Sequence, residues 1–395
     1  MVKPTFISLF SGCGGLDVGL QAEGFQCLQA YDIDKKVVEV HKKNLGDKCT
    51  VADLQLLPVS EMLSHGHPSL LVSGSPCQGF STVGKRQLDD PRNSLLLRAG
   101  QIALEIKPKV FIAENVAGAL AGEHRKYWDA LSNLLKSGGY KVETLKINAR
   151  DLGLAQRRSR AILLAWQTPK DLVLKEKNPR LKNLKDVLKN IENLPDHEKN
   201  YLRKDSEAYL IAQRIKPGQK LCNVRGGINS VHTWNIPEVF GQTSDDEKRF
   251  LHLLMRLRRT QRVRSSGDAD PVSPKTLAAH FGSGMASILD ALLKKGFVRE
   301  IDGNYDLMHT FNGKYRRLES DSVSLTVDTR FGDSRYFLHP VEDRSFTVRE
   351  AARIQGFPDW FKFSGKANDD FKMIGNAVPP PMASYLGEIV KNLLR

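Results

Sequence analysis

The chain is 395 residues long and carries 59 Lys and Arg against 45 Asp and Glu, a formal net charge of +14. At roughly 150 residues per domain, this length predicts two or three domains with real hydrophobic cores and no need for disulfide or metal staples. With 41% apolar and 26% charged residues, disorder, collagen and small disulfide scaffolds are excluded, and the excess of positive charge makes a polyanion the expected partner.

Residues 1–15 meet glycine and polar side chains too early for a signal peptide, and no stretch reaches the roughly 18 apolar residues that span a bilayer. A cytoplasmic protein with no membrane association is expected. Cys13, Cys27, Cys49, Cys77 and Cys222 are odd in number and lack CxxC spacing, which predicts neither a disulfide framework nor a metal site and leaves one thiol as a candidate for chemistry.

Residues 6–10 form a short apolar run that ends in Ser11-Gly12-Cys13-Gly14-Gly15-Leu16, followed by a helix-like stretch. Strand, glycine turn and helix is the predicted order. A second strand over 26–31 delivers Asp32 about 20 residues beyond the glycine turn, the offset at which a carboxylate meets ribose hydroxyls in nucleoside-binding βαβ units. A third strand ends near Asp53, which is placed to accept from an adenine amino group. The strand over 70–73 runs into Gly74-Ser75-Pro76-Cys77-Gln78-Gly79, so Cys77 stands just past a strand end, where ligands bind in open α/β sheets. The polar, basic loop beyond it, with Lys85 and Arg86, suits a segment that closes on a phosphate-bearing substrate.

The next strand, 110–113, ends at Glu114-Asn115-Val116. A cysteine nucleophile and a carboxylic acid on adjacent strand ends suit attack on an electron-poor ring at one atom and protonation at another. After a helix over 127–137 and a strand over 141–148 comes Gln156-Arg157-Arg158-Ser159-Arg160, which leads into a strand over 161–165. Alternate residues of an extended segment share a face, which groups Gln156, Arg158 and Arg160. Guanidinium groups there are suited to a phosphate and a base carbonyl.

These motifs, in this order, resemble those of the DNA cytosine-5 methyltransferases: Phe10 to Gly15, Pro76-Cys77-Gln78, Glu114-Asn115-Val116 and Gln156 to Arg160. Two later motifs, Thr347 to Pro358 and Gly375-Asn376-Ala377-Val378-Pro379-Pro380, extend the resemblance over nearly the whole chain. Ser75 departs from the second proline common before Pro-Cys, and Asp32 stands where relatives often carry glutamate. The resemblance implies an α/β, Rossmann-like methyltransferase domain with an inserted, smaller target-recognition domain, and S-adenosylmethionine as cofactor. Phe10, Gly12, Gly14, Gly15, Leu16, Asp32, Ile33, Asp53, Leu54, Pro76, Leu95, Asn376 and Val378 are then expected around that cofactor. Cys77 is the implied nucleophile at carbon 6 of a flipped cytosine. Glu114 is the group at the ring nitrogen and amine, Arg160 the contact to the carbonyl oxygen and Arg158 the contact to a phosphate. Double-stranded DNA is the implied partner, contacted in part by Gln78, Ser81, Lys85, Arg86 and Gln156. A cognate restriction endonuclease is a further implied partner, without stable association. A tRNA methyltransferase and a catalytically silent DNA-binding regulator are the alternatives.

Domains are therefore expected over 1–165 (catalytic), 166–321 (recognition) and 322–395 (a return that completes the catalytic domain). Within the middle region, Ser244 to Glu247 reads as a capping box that opens an amphipathic helix. Its basic residues Arg256, Arg258, Arg259 and the following Arg262 are expected to contact phosphates. Residues 268–310 read as helix, turn, helix and a hairpin with an Asp302-Gly303 turn, the order of a winged helix. Arg349, Glu350 and Arg353 are expected at the domain interface, and a final helix over 381–394 is expected to pack on the cofactor domain.

Overall fold

A computed structural model describes residues 3–76, 94–174, 176–264, 267 and 269–395. Seven strands form the main sheet: β1 (Thr5–Leu9), β2 (Gln26–Asp32), β3 (Cys49–Val51), β4 (Leu70–Ser73), β5 (Val110–Val116), β6 (Lys141–Asn148) and β7 (Ser159–Trp166). Their order is β3-β2-β1-β4-β5-β7-β6. The first five run parallel, and β7 is antiparallel to both β5 and β6. Chain order reverses direction between β1 and β4, the crevice where doubly wound sheets bind ligands.

Both faces of this sheet are covered, which is why its strands read as continuous apolar runs rather than alternating ones. Phe6, Leu70, Val72, Val110 and Ile112 face one core layer, and Ile7, Leu71, Phe111 and Ala113 face the other. The first layer receives α1 (Gly15–Ala22) and the helix over Lys35–Leu45, α2, through Leu16, Leu20 and Val38. The second receives α3 (Val59–Leu63), α4 (Ser94–Ile106) and α5 (Arg125–Ser137) through Met62, Ile102, Trp128 and Leu131. The short α6 (Leu184–Val187) follows, opened by a capping box between Asn183 and Asp186.

The chain divides into two compact units: residues 1–197, 321–330 and 348–395 form one, and 198–320 with 331–347 form the other. These bounds correct the expected 1–165, 166–321 and 322–395. Residues 183–196 belong to the first unit because Leu184 N–H donates to the Ser322 carbonyl at 3.1 Å and Arg349 donates to the Pro195 carbonyl and the Asp196 carboxylate, each at 3.0 Å. Arg353 likewise donates to the carbonyls of Val187 and Asn190. Arg349 and Arg353 thus brace one unit internally instead of an interface between two. Residues 331–347 belong to the second unit because the buried Arg317 guanidinium donates to the carbonyls of Ala212, Ile215 and His339 and pairs with Asp343 at 2.7 Å.

The second unit contains α7 (Glu207–Arg214), β8 (Lys220–Cys222), β9 (Ser230–Val231) and α8 (Pro237–Phe240). A helical module follows: α9 (Asp245–Thr260), α10 (Pro274–Phe281), α11 (Met285–Lys294) and the hairpin β10 (Val298–Ile301) with β11 (Asn304–Leu307). Asp302 and Gly303 both have positive φ, 49° and 71°, as a two-residue hairpin turn requires. Val272 forms an isolated antiparallel bridge to Tyr305 ahead of α10. Helix, bridge, helix, helix and hairpin follows the winged-helix order, and it starts at α9, not at residue 268. The core of the module explains this: Phe250, Leu254 and Leu257 of α9 pack with Leu277, Leu289, Leu292 and Val298. The expected capping box is present, with Ser244 and Glu247 exchanging hydrogen bonds. Then come β12 (Asn312–Lys314), which pairs with β8, and β13 (Arg316–Arg317), which pairs with β14 (Phe337–Leu338).

The first unit is completed by α12 (Val348–Gln355), α13 (Ala367–Asn376) and α14 (Pro380–Leu394). Helix α14 buries Met382, Leu386, Ile389, Val390 and Leu393 in the same layer as α1, so the expected stripe packs on the sheet as predicted.

Candidate active site

The carboxyl ends of β1 and β2 create a cradle. β1 is followed by Phe10, whose φ of 53° turns the chain sharply, and Ser11 N–H donates back to the Tyr31 carbonyl at 2.9 Å. Gly12, at φ 54°, donates its N–H to Asp32 Oδ2 at 2.9 Å, while a Cβ built on it meets nothing within 4 Å. The turn is thus held from below by the carboxylate and faces open space above, a shape that a side chain at Gly12 would fill. Asp32 Oδ1 accepts from Asp34 N–H at 3.0 Å, and burial pushes its pKa above the ordinary carboxylate value. Ile33 beside it is 67% exposed, a high value for a large apolar side chain. After β3, the exposed Asp53 accepts from Gln55 N–H, and Leu54 is buried behind it.

The C-terminal segment reaches this turn from more than 300 residues away. A Cβ on Gly15 would lie 2.4 Å from the Val378 carbonyl, so the two backbones meet at a distance only glycine permits. Cys13 Sγ lies 3.9 Å from the Met373 carbonyl. Asn376 ends α13 exposed, and Val378 is buried. Tyr31, Asp32 and this segment are therefore gathered around one glycine turn. An accepting carboxylate, exposed apolar surface and a narrow backbone cradle fit a nucleoside with a diol and a flat ring.

A buried network under the turn has no counterpart in the sequence reading. Asp17 of α1 and His41 of α2 are fully buried and pair at 2.6 Å, and Ser8 donates to the other Asp17 oxygen at 2.7 Å. The His41 ring lies against Gly14, whose Cβ would stand 3.0 Å from His41 Cδ2. The 24-residue separation of the pair gives no local signal. The only hint is an aspartate on the apolar face of α1.

The neighbouring strand ends supply chemistry. Beyond β4, Ser73 and Ser75 share a hydroxyl hydrogen bond of 2.8 Å, and Gly74 N–H donates to the Leu9 carbonyl, which sets the direction of the chain at Pro76. Cys77, Gln78, Ser81, Lys85 and Arg86 lie outside the described residues. Leu95 is half-buried in the first turn of α4. Glu114, two residues before the end of β5, is almost fully buried, and Arg160 of the antiparallel β7 places Nε 2.7 Å from Glu114 Oε1. Strand register explains the pairing, because Arg160 lies opposite Val116 and Ile162 opposite Glu114. Burial raises the Glu114 pKa, and the charges of Arg160 and Arg158 oppose it without cancelling it. A buried carboxyl with a raised pKa beside a fixed cation is suited to hydrogen bonding with a neutral heterocycle.

Three expected nucleic-acid contacts are corrected. Arg158 is fully buried, and its guanidinium donates to the carbonyls of Val327, Gly375 and Ala377 at 2.8, 2.9 and 2.8 Å. It ties the strand to the C-terminal motif and is not available to a phosphate. Gln156 is also fully buried, bonded to Gln355 Oε1 and the Ile354 carbonyl, and accepts from Val327 N–H. Arg258 is 5% exposed and forms a buried ion pair with Asp306. In each case a buried carbonyl or carboxylate needs a donor, and a polar side chain expected to face nucleic acid supplies it. Arg256, Arg259 and Arg262 are exposed.

Across residues 4–392 the chain matches the family described as C-5 cytosine-specific DNA methylase. Among curated relatives, the type II methyltransferase M.HgiCII of Herpetosiphon aurantiacus is 30% identical, over 98% of this chain and 96% of the relative. The type II methyltransferase M.XorII of Xanthomonas oryzae is also 30% identical, over 100% of this chain and 86% of the relative. Solved structures share the fold. The Entamoeba histolytica methyltransferase EhMeth matches at a TM-score of 0.61 and 14% identity, over 100% of both chains. The Schizosaccharomyces pombe Dnmt2 methyltransferase matches at 0.57 and 15%, over 99% of both. A doubly wound sheet with a glycine cradle, a carboxyl–guanidinium pair at its edge and this match over nearly the whole length lead to one conclusion: the chain belongs to the C-5 cytosine-specific DNA methylases and is a DNA cytosine-5-methyltransferase.

Proposed function

We propose that the chain methylates carbon 5 of a cytosine flipped out of duplex DNA, with S-adenosylmethionine as methyl donor, and that it is the modification enzyme of a type II restriction-modification system. The observation that carries this reading is the convergence at one sheet edge of the Gly12–Asp32 cradle, the returning Val378 segment and the Glu114–Arg160 pair. The names of the type II relatives support the biological setting, in which a separate restriction endonuclease acts on the same sequence in the cytoplasm. Among the described residues no helix is long and apolar enough to cross a membrane.

In this mechanism, Phe10, Gly12, Gly14, Gly15, Leu16, Ile33, Leu54, Pro76, Leu95, Asn376 and Val378 would enclose the cofactor, with Asp32 to accept from its ribose and Asp53 from its adenine amine. S-adenosylmethionine supplies an electrophilic methyl group on a sulfonium. The target base leaves the stack because its ring face is unreachable inside the duplex. Cys77 thiolate forms a bond to carbon 6, and the displaced electron pair moves to carbon 5. Glu114 holds the ring nitrogen and exocyclic amine, which favours that shift. Arg160 has Nε committed to Glu114 and Nη1 to the Ser159 carbonyl, which leaves Nη2 for the cytosine carbonyl oxygen. Carbon 5 then takes the methyl group as the sulfur–methyl bond of the sulfonium breaks and leaves a neutral thioether; a base removes the carbon 5 proton, the ring double bond re-forms and the bond from carbon 6 to the Cys77 sulfur breaks, returning the thiolate.

The test is methyl transfer from labelled S-adenosylmethionine to duplex DNA, with bisulfite sequencing to locate the product. Wild-type protein is expected to label DNA and not tRNA, and Cys77→Ala is expected to bind both substrates without turnover. Retained turnover in Cys77→Ala, or transfer to tRNA alone, refutes the reading.

A further inference from the structure

We propose that a basic concavity on the α9–α10 side of the winged-helix module is a phosphodiester-binding site through which this module grips the DNA backbone with its first helix and not with α11. The inference rests on the DNA-methyltransferase reading above and adds a site to it.

The concavity has a volume of about 810 Å³, and its polar lining is Arg249, His252, Arg256, Arg259, Thr260 and His280. On α9, Arg249, His252, Arg256 and Arg259 recur at intervals of three and four, so they fall on one helical face, with Thr260 beside them. The opposite face is spent on the core: Phe250, Leu251, Leu254 and Leu257 are buried, and Arg258 is consumed by Asp306. Folding therefore accounts for one face of α9 and leaves the basic face unexplained.

Ion pairing separates these cations from their neighbours. In the same unit Arg264 pairs with Asp270, Lys294 with Asp290, Lys295 with Glu247 and Arg299 with Asp306. Arg256 and Arg259 are exposed and have no carboxylate partner among the described residues. Arg249 sits over the Phe281 ring at 4.9 Å, and also contacts Asp246 at 3.2 Å. His252 Nε2 accepts from the Trp234 indole N–H at 3.3 Å, which fixes the neutral tautomer with its proton on Nδ1 and makes the ring a donor. His280 Nδ1 donates to the Thr276 carbonyl at 2.9 Å. His280 therefore turns an accepting Nε2 outward, and the donors that suit phosphate are the guanidiniums, Arg256 and Arg259 standing one helical turn apart without a carboxylate partner.

The surfaces on which such a module ordinarily docks have the wrong chemistry here. A helix-turn-helix places its second helix in the major groove. The exposed residues of α11 are Ala286, Ser287, Asp290 and Lys294. Lys294 is tied to Asp290 at 2.7 Å and Ser287 to the Gly284 carbonyl, so no free cation or amide is presented to base edges. The hairpin carries Glu300 and Asp302, which repel phosphate.

The test compares R256A/R259A, the charge-keeping R256K/R259K and K294A with wild type. Binding of a mixed-sequence duplex is measured against salt, together with kcat, KM for DNA and thermal melting. Loss of two phosphate contacts is expected to lower the slope of log K against log salt by about 1.8, or about 60-fold in affinity between 1 M and 0.1 M salt. KM for DNA is expected to rise while kcat at saturating DNA and melting stay at wild-type values; R256K/R259K and K294A are expected to keep the wild-type slope. A wild-type slope in R256A/R259A, or a slope lost in K294A instead, overturns the proposal. Binding of inorganic phosphate at this site with duplex affinity untouched by R256A/R259A overturns it as well. Failure of the wild-type chain to methylate any DNA would instead strike the methyltransferase reading, and the mixed-sequence binding measurement stays independent of it.

Discussion

Replacing Arg158 by alanine separates two accounts of the Gln156–Arg160 segment. In the structure its guanidinium is fully buried and bridges the strand to the Val327, Gly375 and Ala377 carbonyls at 2.8–2.9 Å. A charged donor contributes about 1.5–3 kcal/mol per hydrogen bond, and a buried carbonyl left without a partner costs about 1–3 kcal/mol. Water entering the vacated space restores part of this, so a net loss of about 3–5 kcal/mol is expected, a large share of a total stability of about 5–15 kcal/mol. At about 2–4 °C per kcal/mol the melting temperature should fall by roughly 10 °C. Differential scanning calorimetry measures this directly, and the salt dependence of DNA affinity in the folded variant should match wild type. A variant that melts at the wild-type temperature but loses about one unit of salt slope would show that Arg158 contacts phosphate and would refute the buried-bridge argument.

Glu114→Gln is expected to reduce methyl transfer severely and to flatten one part of the stability–pH curve. Burial holds the Glu114 carboxyl above its ordinary value, so between that value and the raised one the native chain keeps a proton that the unfolded chain has lost. Wild-type stability therefore falls as pH rises through that window, and denaturant titrations across it should show no such fall in Glu114→Gln. Asp17→Asn removes a charge from the fully buried pair with His41; a loss of about 3–5 kcal/mol is expected, with weaker S-adenosylmethionine binding by calorimetry because Gly14 rests on that ring. Unchanged melting and affinity would count against the support role. Glu342, although partly buried, is held at about 2 by hydrogen bonds from Tyr201, Lys199 and Arg344. Its stabilisation is present above the ordinary glutamate value and is lost as pH falls toward about 2. Acid unfolding of Glu342→Gln should be shallower over that range, and equal acid slopes in the two proteins would refute this.

Much of the catalytic unit was legible because its signals are local. Apolar runs over 6–10, 70–73 and 110–113 mark strands buried on both faces, and glycines with an acidic residue about 20 positions on mark the turn that Asp32 holds through the Gly12 N–H. The Ser244 capping box and the Asp302-Gly303 turn are read from adjacent residues, and both form as expected. The amino-acid order alone thus determined the strand–turn–helix alternation and the winged-helix order. What it left open was which charges stay in water. Arg158, Gln156 and Arg258 have the same composition as a phosphate-binding surface, but each lies where packing buries an acceptor supplied from 48 or more residues away. The Asp17–His41 pair and the unit boundaries at 197, 320, 330 and 347 depend in the same way on long-range partners. A side chain's propensity is local, but its desolvation and the acceptor it must satisfy are set by chain segments distant in sequence, and only the tertiary structure brings these together.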